Sequence, residues 1–363
     1  MIERSTVTKG DDAATDIFRR LSVIVSNYNY EQYVAQAIES ALAVDWDDVE
    51  VIVVDDGSTD GSRAVIERYR DRVTVLHQEN STQRVAANRG FAASTGDVVI
   101  FLDSDDMLTP AIAREIAAAW RPGASKYQVQ MARIDAEGRI IGSVFPDYAV
   151  PPSPELIRRW ATVSASYPTP PGSGNAYARS FLDRIFPLDG STGPAADSYC
   201  LEAAPLLGDV ITLPRPLVLY RVHGDNVSNL LRNDALFTGR VERARLRHAY
   251  GLRLLGRVED PERSALFRSR SLLQLRIASA RLRPGDSRLP GDSRFRMLRN
   301  ALLVPFGVGH EPMRQRILIM AWCVVVLIVP VPLARRVIHR RYDQTTFNRR
   351  RKWTQALVDR STH

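Results

Sequence analysis

The sequence predicts a doubly wound, mostly parallel α/β sheet followed by an arginine-rich, mainly helical C-terminal extension. Three observations predict it. Short apolar β-rich runs alternate with helical spacing across 21–120, the pattern of a parallel sheet covered on both faces. The charge is split: 231–363 holds 28 Lys and Arg against 10 Asp and Glu, a net +18, whereas 1–230 holds 21 against 31, a net −10. The whole chain, with 45% hydrophobic and 25% charged residues, has the composition of a folded globular protein rather than a disordered or many-span membrane protein.

The elements follow in order. Leu21–Val25 reads as a buried strand, followed by the polar loop Ser26–Gln32 and a helix carrying Val34, Ala37, Ile38, Ala41 and Leu42. Val51–Val54 is a second strand; Asp55-Asp56-Gly57-Ser58-Thr59-Asp60 reads as a loop plus helix cap, and Val65, Ile66 and Tyr69 carry the next helix. Val73–Leu76 is a third strand, Val85–Ser94 a helix, and Val98–Leu102 a fourth strand running into Asp103-Ser104-Asp105-Asp106. Residues 126–141 read as a hairpin turning at Asp135–Gly138. Two Pro/Gly-dense loops, 146–154 and 168–174, precede a helical stretch near Ala176–Ile185 and a helix beginning near Asp197. Val210–Leu213 and Leu217–Val222 read as strands.

These elements divide into a tail 1–19, a catalytic-type domain 20–230 and the extension 231–363. Residues 238–283 suggest amphipathic helices, and 281–294 a loop. Ile317–Ala334 is eighteen residues without charge, flanked by arginines and interrupted by Pro330 and Pro332. A spanning helix needs about 20 apolar residues. A re-entrant or interfacial anchor on an anionic membrane surface is therefore expected, with a buried core helix as the alternative. Cys200 and Cys323 fit no disulfide scaffold or zinc motif, and the first twenty residues lack the apolar core of a signal peptide; a reducing compartment is expected.

In an open parallel sheet, ligands bind beyond the carboxyl ends of the strands. Here those ends read SNYN, DDGSTD and DSDD. Consecutive clusters of carboxylates repel one another unless a cation sits among them.

Residues 20–228 resemble the family 2 inverting glycosyltransferases of GT-A fold. The match rests on LSVIVSNYNYEQYVAQAIESAL, VEVIVVDDGSTDGS, NRGFAASTGDVVIFLDSDDMLTP and LVLYRVHGDNVS, in that order. The resemblance implies a nucleotide-sugar donor, with UDP-sugar favoured, and Mn²⁺ or Mg²⁺ at the D-x-D motif. Asp105 would hold the metal, Asp103 would contact ribose or a metal-bound water, and Asp106 would lie behind them or on the acceptor side. Asp56 would accept a hydrogen bond from the base, Tyr28 would pack on it and Ser26 would bond to it; Asp55 reads as structural. His223 would reach the metal or diphosphate from the far side.

The chain departs from the family pattern twice. Ala87 stands where an Arg precedes Asn88, and Arg84, one turn earlier, is the expected substitute. Ala196 stands where a Glu precedes the conserved-type Asp, leaving Asp197 as general base, with helix capping as its alternative role. Gly172–Asn175 resembles the glycine loop before that motif.

A sugar nucleotidyltransferase would need a Gly-rich, basic loop after the first strand, which SNYNYEQY lacks. Basic charge flanking an apolar segment fits lipid headgroups better than nucleic acid. A degenerate nucleotide-sugar-binding relative is the remaining alternative, prompted by Ala87 and Ala196. The expectation is a metal-dependent transferase acting on a glycan or lipid-linked acceptor in surface polysaccharide or glycoconjugate synthesis, peripheral or monotopic at the cytoplasmic face of the membrane. The tail's helices would alternatively serve a homodimer contact or an acceptor platform.

Overall fold

The computed structural model describes residues 18–342 apart from 149, 224–229, 259, 261–263, 287, 288 and 310. Most of the tail 1–19, the HGDNVS motif beyond His223 and the last 21 residues lie outside it.

Four strands form the first half of one eight-stranded sheet: β1 (Leu21–Asn27), β2 (Val49–Asp55), β3 (Thr74–His77) and β4 (Val98–Asp103), all parallel in the order β3-β2-β1-β4. β1, β2 and β4 are buried on both faces, as their near-continuous apolar runs require, while β3 at the sheet edge is half-buried. Alternate residues divide between two cores. Val23, Val25, Val51, Val53, Val98 and Ile100 point into the one covered by α1 (Val34–Leu42), α2 (Ser62–Glu67) and α4 (Ile112–Ala118). Ile24, Ile52, Val54 and Val99 point to the other face, against α3 (Gln83–Ala93), α5 (Pro154–Ser164), α6 (Arg179–Leu182) and α7 (Asp197–Leu207). Gly90 allows α3 to lie this close: a Cβ there would sit 2.4 Å from Ile24 Cγ2.

The second half of the sheet is mixed. β5 is the two-residue Met107–Leu108, β6 is Ala124–Ile134, β7 is Asn175–Ala178 and β8 is Asp209–Arg221. The order continues β4-β7-β6-β8-β5, with β7 antiparallel to both neighbours, β6 parallel to β8, and β5 antiparallel to β8. Two expectations are corrected here. The helix expected over Ala176–Ile185 is instead the strand β7 followed by one turn, α6; buried pairing between β4 and β6 overrides the helical preference of its alanines. The two strands expected at 210–213 and 217–222 are one, β8, whose register shifts opposite Val129 and Gln130 accommodate Pro214 and Pro216. The turn at Asp135–Gly138 forms as expected, closed by Asp135 N–H donating to Arg139 O (2.9 Å).

The extension is helical: α8 (Ala235–Leu254), α9 (Arg270–Leu282), α10 (Arg294–Leu303), α11 (Met313–Ile328) and α12 (Val331–Tyr342). It has its own apolar cluster, including Phe237, Leu273, Ile277, Met297, Cys323 and Ile338, and docks on the sheet domain where α8 packs against α7. The apolar run 317–334 is not one helix. It breaks at Val329-Pro330, because Pro cannot donate to the preceding turn. Ile319, Cys323 and Val326 of α11 are buried, so one face is a core helix. No helix among the described residues is long and apolar enough to cross a membrane.

Inside the extension, Arg276 of α9 makes a bidentate pair with Asp292 (Nε–Oδ2 2.8 Å, Nη2–Oδ1 2.6 Å), both side chains 1% exposed. Removing one partner of such a pair strands a buried charge. Asp292→Ala is expected to lower unfolding free energy by about 3–5 kcal/mol in chemical denaturation. Arg114→Ala, which breaks the exposed pair with Asp45, is expected to cost less than about 1 kcal/mol.

Candidate active site

The strand order reverses between β1 and β4, and the crevice at such a switch point is where open α/β sheets bind ligands. The register places Ser26 beside Asp103 and Asn27 beside Asp55 at that edge. A cleft of about 750 Å³ opens there.

One wall of the cleft is the loop after β1. Asn29 adopts φ +59°, a left-handed conformation Asn tolerates, and its Oδ1 accepts from Thr59 N–H (2.7 Å). Asn27 Nδ2 donates to Asp55 Oδ1 (3.1 Å), which also accepts from Ser58 Oγ (2.5 Å). Asp55 is thus buried inside the loop junction. Asp56 faces the cleft; its Oδ1 accepts from Gln78 Nε2 (2.6 Å) and Ser81 N–H (2.9 Å), which fixes the carboxylate. Gly57, at φ +75°, lets this turn pass Asn80, whose backbone nitrogen would lie 2.5 Å from a Cβ. Ser26 and Tyr28 line the same wall, Tyr28 with its ring 44% exposed.

The floor is acidic. Asp103, Asp105 and Asp106 offer carboxylate oxygens that all lie within 4.8 Å of one another. Burial, then Asp105 and Asp197, pushes the Asp103 carboxyl up to about 7. Asp106 is raised too, chiefly by burial and by Asp105 and Asp103. The cluster is electrostatically unsatisfied by itself, and its hard oxygen donors suit Mg²⁺ or Mn²⁺. His223 Nε2 lies 3.0 Å from Asp105 Oδ2, its ring held between Tyr30 and Tyr33. Asp103 Oδ1 accepts from Gln83 Nε2 (3.0 Å), and Asp103 N–H donates to Ser173 Oγ (3.1 Å). Ser173 lies in the Gly172–Asn175 loop, so that loop reaches the acidic floor.

Asp197 is the first residue of α7, after the N-cap Ala196, and lines the cleft half-buried; its Oδ1 accepts from Ser198 Oγ (3.4 Å). A carboxylate at a helix N-terminus is favoured by the backbone dipole. Ala87 and Ala196 both line one small cavity of about 20 Å³ that also touches Asp103 and Asp197. The two departures from the family pattern therefore meet at one place.

The structure brings Ser26, Tyr28, Asp56, Asp103, Asp105, Asp197 and His223 to one cleft. It does not bring Arg84 there. Arg84 Nη1 donates to Leu188 O (2.9 Å), which ties α3 to the 188–194 segment. Gln83, its neighbour, faces Asp103 instead.

Sequence reasoning did not single out Arg221. Its side chain is fully buried and braces the acidic loop: its Nε donates to Asp105 O (2.9 Å), while its backbone N–H donates to Asp106 Oδ1 (3.0 Å). Its Nη1 reaches Asp135 O and Ala136 O, and its Nη2 reaches Gln36 Oε1 (2.6 Å). Arg240 and Arg243 of α8, which also line the cleft, were missed because they belong to the extension. Their helical spacing was the available signal.

Residues 22–186 match the model described as glycosyl transferase family 2. An uncharacterised glycosyltransferase of Nostoc sp. is 37% identical over 217 residues, 57% of this chain and 66% of that protein. The uncharacterised glycosyltransferase YibD of Escherichia coli is 38% identical over 96 residues, 26% of this chain and 28% of that protein. The chain thus spans less than two thirds of the length of these relatives. Among solved structures, Staphylococcus aureus TarS residues 1–349, crystallised with UDP-GlcNAc, superposes with a TM-score of 0.54 at 19% identity, covering 89% of each chain. Residues 22–186 therefore carry the match to glycosyl transferase family 2, and the sheet they belong to, completed by β8, has the GT-A fold.

Proposed function

We propose that the protein is a metal-dependent inverting glycosyltransferase that moves a sugar from a nucleotide-sugar donor, with UDP favoured, to a glycan or lipid-linked acceptor in surface polysaccharide or glycoconjugate synthesis. The observation that supports it best is the convergence, in one cleft, of the nucleoside-side residues Ser26, Tyr28 and Asp56, the acidic floor and Asp197.

In this reading Tyr28 stacks on the base, Ser26 and Asp56 hydrogen-bond to it, and Asp103 holds the ribose side. Asp105 and His223, with Asp103, are the residues that would hold Mn²⁺ or Mg²⁺. The cation, when bound, neutralises charge on the diphosphate leaving group. Asp197, which borders the same small cavity as Asp103, would act as the base. It accepts the acceptor hydroxyl proton as that oxygen bonds to the anomeric carbon and the bond to the diphosphate breaks.

Asp105→Ala is expected to abolish metal-dependent donor hydrolysis across a panel of nucleotide sugars. Asp197→Asn is expected to keep donor binding but lower transfer kcat by about 10²–10⁴-fold; transfer at the parent rate would overturn its role.

The metal site also has a pH signature. Asp103 ionises near its ordinary 3.8 when unfolded and near 7 when folded without metal. The folded protein therefore holds the extra proton between those values, and apo stability falls as pH rises through that window. A cation takes the place of that proton. Added Mn²⁺ is expected to raise Tm more at pH 8 than at pH 5 in thermal unfolding; equal shifts at both would contradict the site.

We further propose that α11 docks on an anionic membrane surface. Ile317, Leu318, Val325 and Ile328 lie exposed along one face, followed by exposed Val331 and Leu333. Arg314, Arg336 and Arg340 are exposed beside this run, the charge an anionic headgroup layer complements. The full chain is expected to sediment with phosphatidylglycerol-containing vesicles and not with neutral ones, and Ile317→Asp with Leu318→Asp to release it. Concentration-dependent dimerisation of the parent, lost in that variant, would assign the stripe to a second copy instead.

A further inference from the structure

We propose that Arg240, Arg243 and Arg247 bind a phosphate carried by the acceptor, so that the acceptor is a phosphorylated polyol, glycan or lipid rather than a neutral sugar. This rests on the reading of the cleft as a glycosyl-transfer site.

The three arginines are spaced i, i+3 and i+7 on α8, which puts them on one helix face. Arg240 and Arg243 line the main cleft and also an adjoining cavity of about 270 Å³, which Arg247 lines as well. The two spaces therefore meet along this row of guanidiniums. All three side chains are half-buried. None makes a hydrogen bond or ion pair among the described residues, and Arg247 Nε is buried with no acceptor. Their neighbours behave differently. Arg245, also on α8, pairs with Glu242, and Arg253 donates to Ser191 Oγ (2.5 Å). Two carboxylates stand near the row. Glu202 lines the adjoining cavity and faces His248 Nδ1 at 3.8 Å, while Asp197 is the base.

Burial, then Arg243, lowers the affinity of Arg240 for its proton, with Asp197 acting in the opposite sense. Three clustered, partly desolvated cations without an ion-pair partner, and outnumbering the two carboxylates near them, call for an anion. Guanidinium groups match phosphate oxygens in a planar, bidentate fashion. The position favours the acceptor over the donor. The adjoining cavity is walled by α5, α7, α8 and α9 and contains none of Ser26, Tyr28, Asp56, Asp103 or Asp105. It shares Arg240 and Arg243 with the main cleft, and Arg240 is the arginine on which Asp197 acts. A phosphate seated there leaves an adjacent hydroxyl free to approach the base.

The test is calorimetry on the full chain saturated with UDP and Mn²⁺, so that the donor position is filled. Glycerol 3-phosphate and geranyl phosphate are titrated against glycerol and geraniol. At least one phosphorylated probe is expected to bind about tenfold or more tightly than its neutral counterpart. The probe that wins tells a soluble phosphate from a lipid-borne one. Arg243→Gln with Arg247→Gln is expected to lose that preference, and Arg245→Gln, which removes the same charge from the same helix, to retain it. Equal binding of charged and neutral probes overturns the proposal. So does a preference unchanged in the double variant, or a double variant that loses UDP affinity instead, since the arginines would then serve the donor diphosphate. A parent chain that binds no UDP with any metal would sink the donor reading of the cleft, and the phosphate titration, repeated without UDP, still decides the arginine site.

Discussion

The buried guanidinium of Arg221 is the interaction on which the site depends. The loop Asp103–Asp106 gathers three carboxylates that repel one another, and the turn bond from Asp106 N–H to Asp103 O (3.0 Å) works against that repulsion. Arg221 crosses from the end of β8 to bind the carbonyl of Asp105, and its N–H fixes Asp106. The same fork reaches the turn after β6 and Gln36 on α1, and the cation lies 4.6 Å from the Tyr33 ring centre. One side chain thereby joins the two halves of the sheet, parallel and mixed, at the point where the carboxylates converge. Only a planar, multiply donating cation serves that many acceptors at once. Buried acceptors deprived of it would each lose about 1–3 kcal/mol.

The parallel half of the sheet was legible in the sequence because its physics is local. Runs such as VIVV and VVIFL are buried on both faces, and their ends carry polar clusters that only a binding edge explains. What local pattern could not carry was pairing at long range. The stretch near Ala176–Ile185 reads as helix, yet its first residues join Asn175 in a strand because β4 and β6 leave a slot between them. The prolines of 209–221 suggested a break, yet the strand continues past them with shifted register.

The site divides in the same way. Ser26, Tyr28, Asp56, Asp103 and Asp105 end their strands, so sequence position nearly fixes them in space. Arg84 shows the limit. Gln83 and Arg84 differ by one position on a helix, and the carbonyl of Leu188, a hundred residues away, draws the arginine to the side opposite the acidic floor. Ala87 and Ala196 looked like two separate losses in the sequence. In the fold they border the same cavity beside Asp103 and Asp197, so the small side chains replace one contact region together.

The stacking of helices in the extension sets a length. α8 lines the cleft, α9 packs on α8, and α11 packs on α9. Each such contact spans about 8–10 Å between axes, so the α11 stripe is joined to the cleft-lining helix through α9. In the proposed reading, an acceptor rooted beyond the α11 stripe needs enough atoms between root and reactive hydroxyl to pass those helices before any side chain reads the sugar.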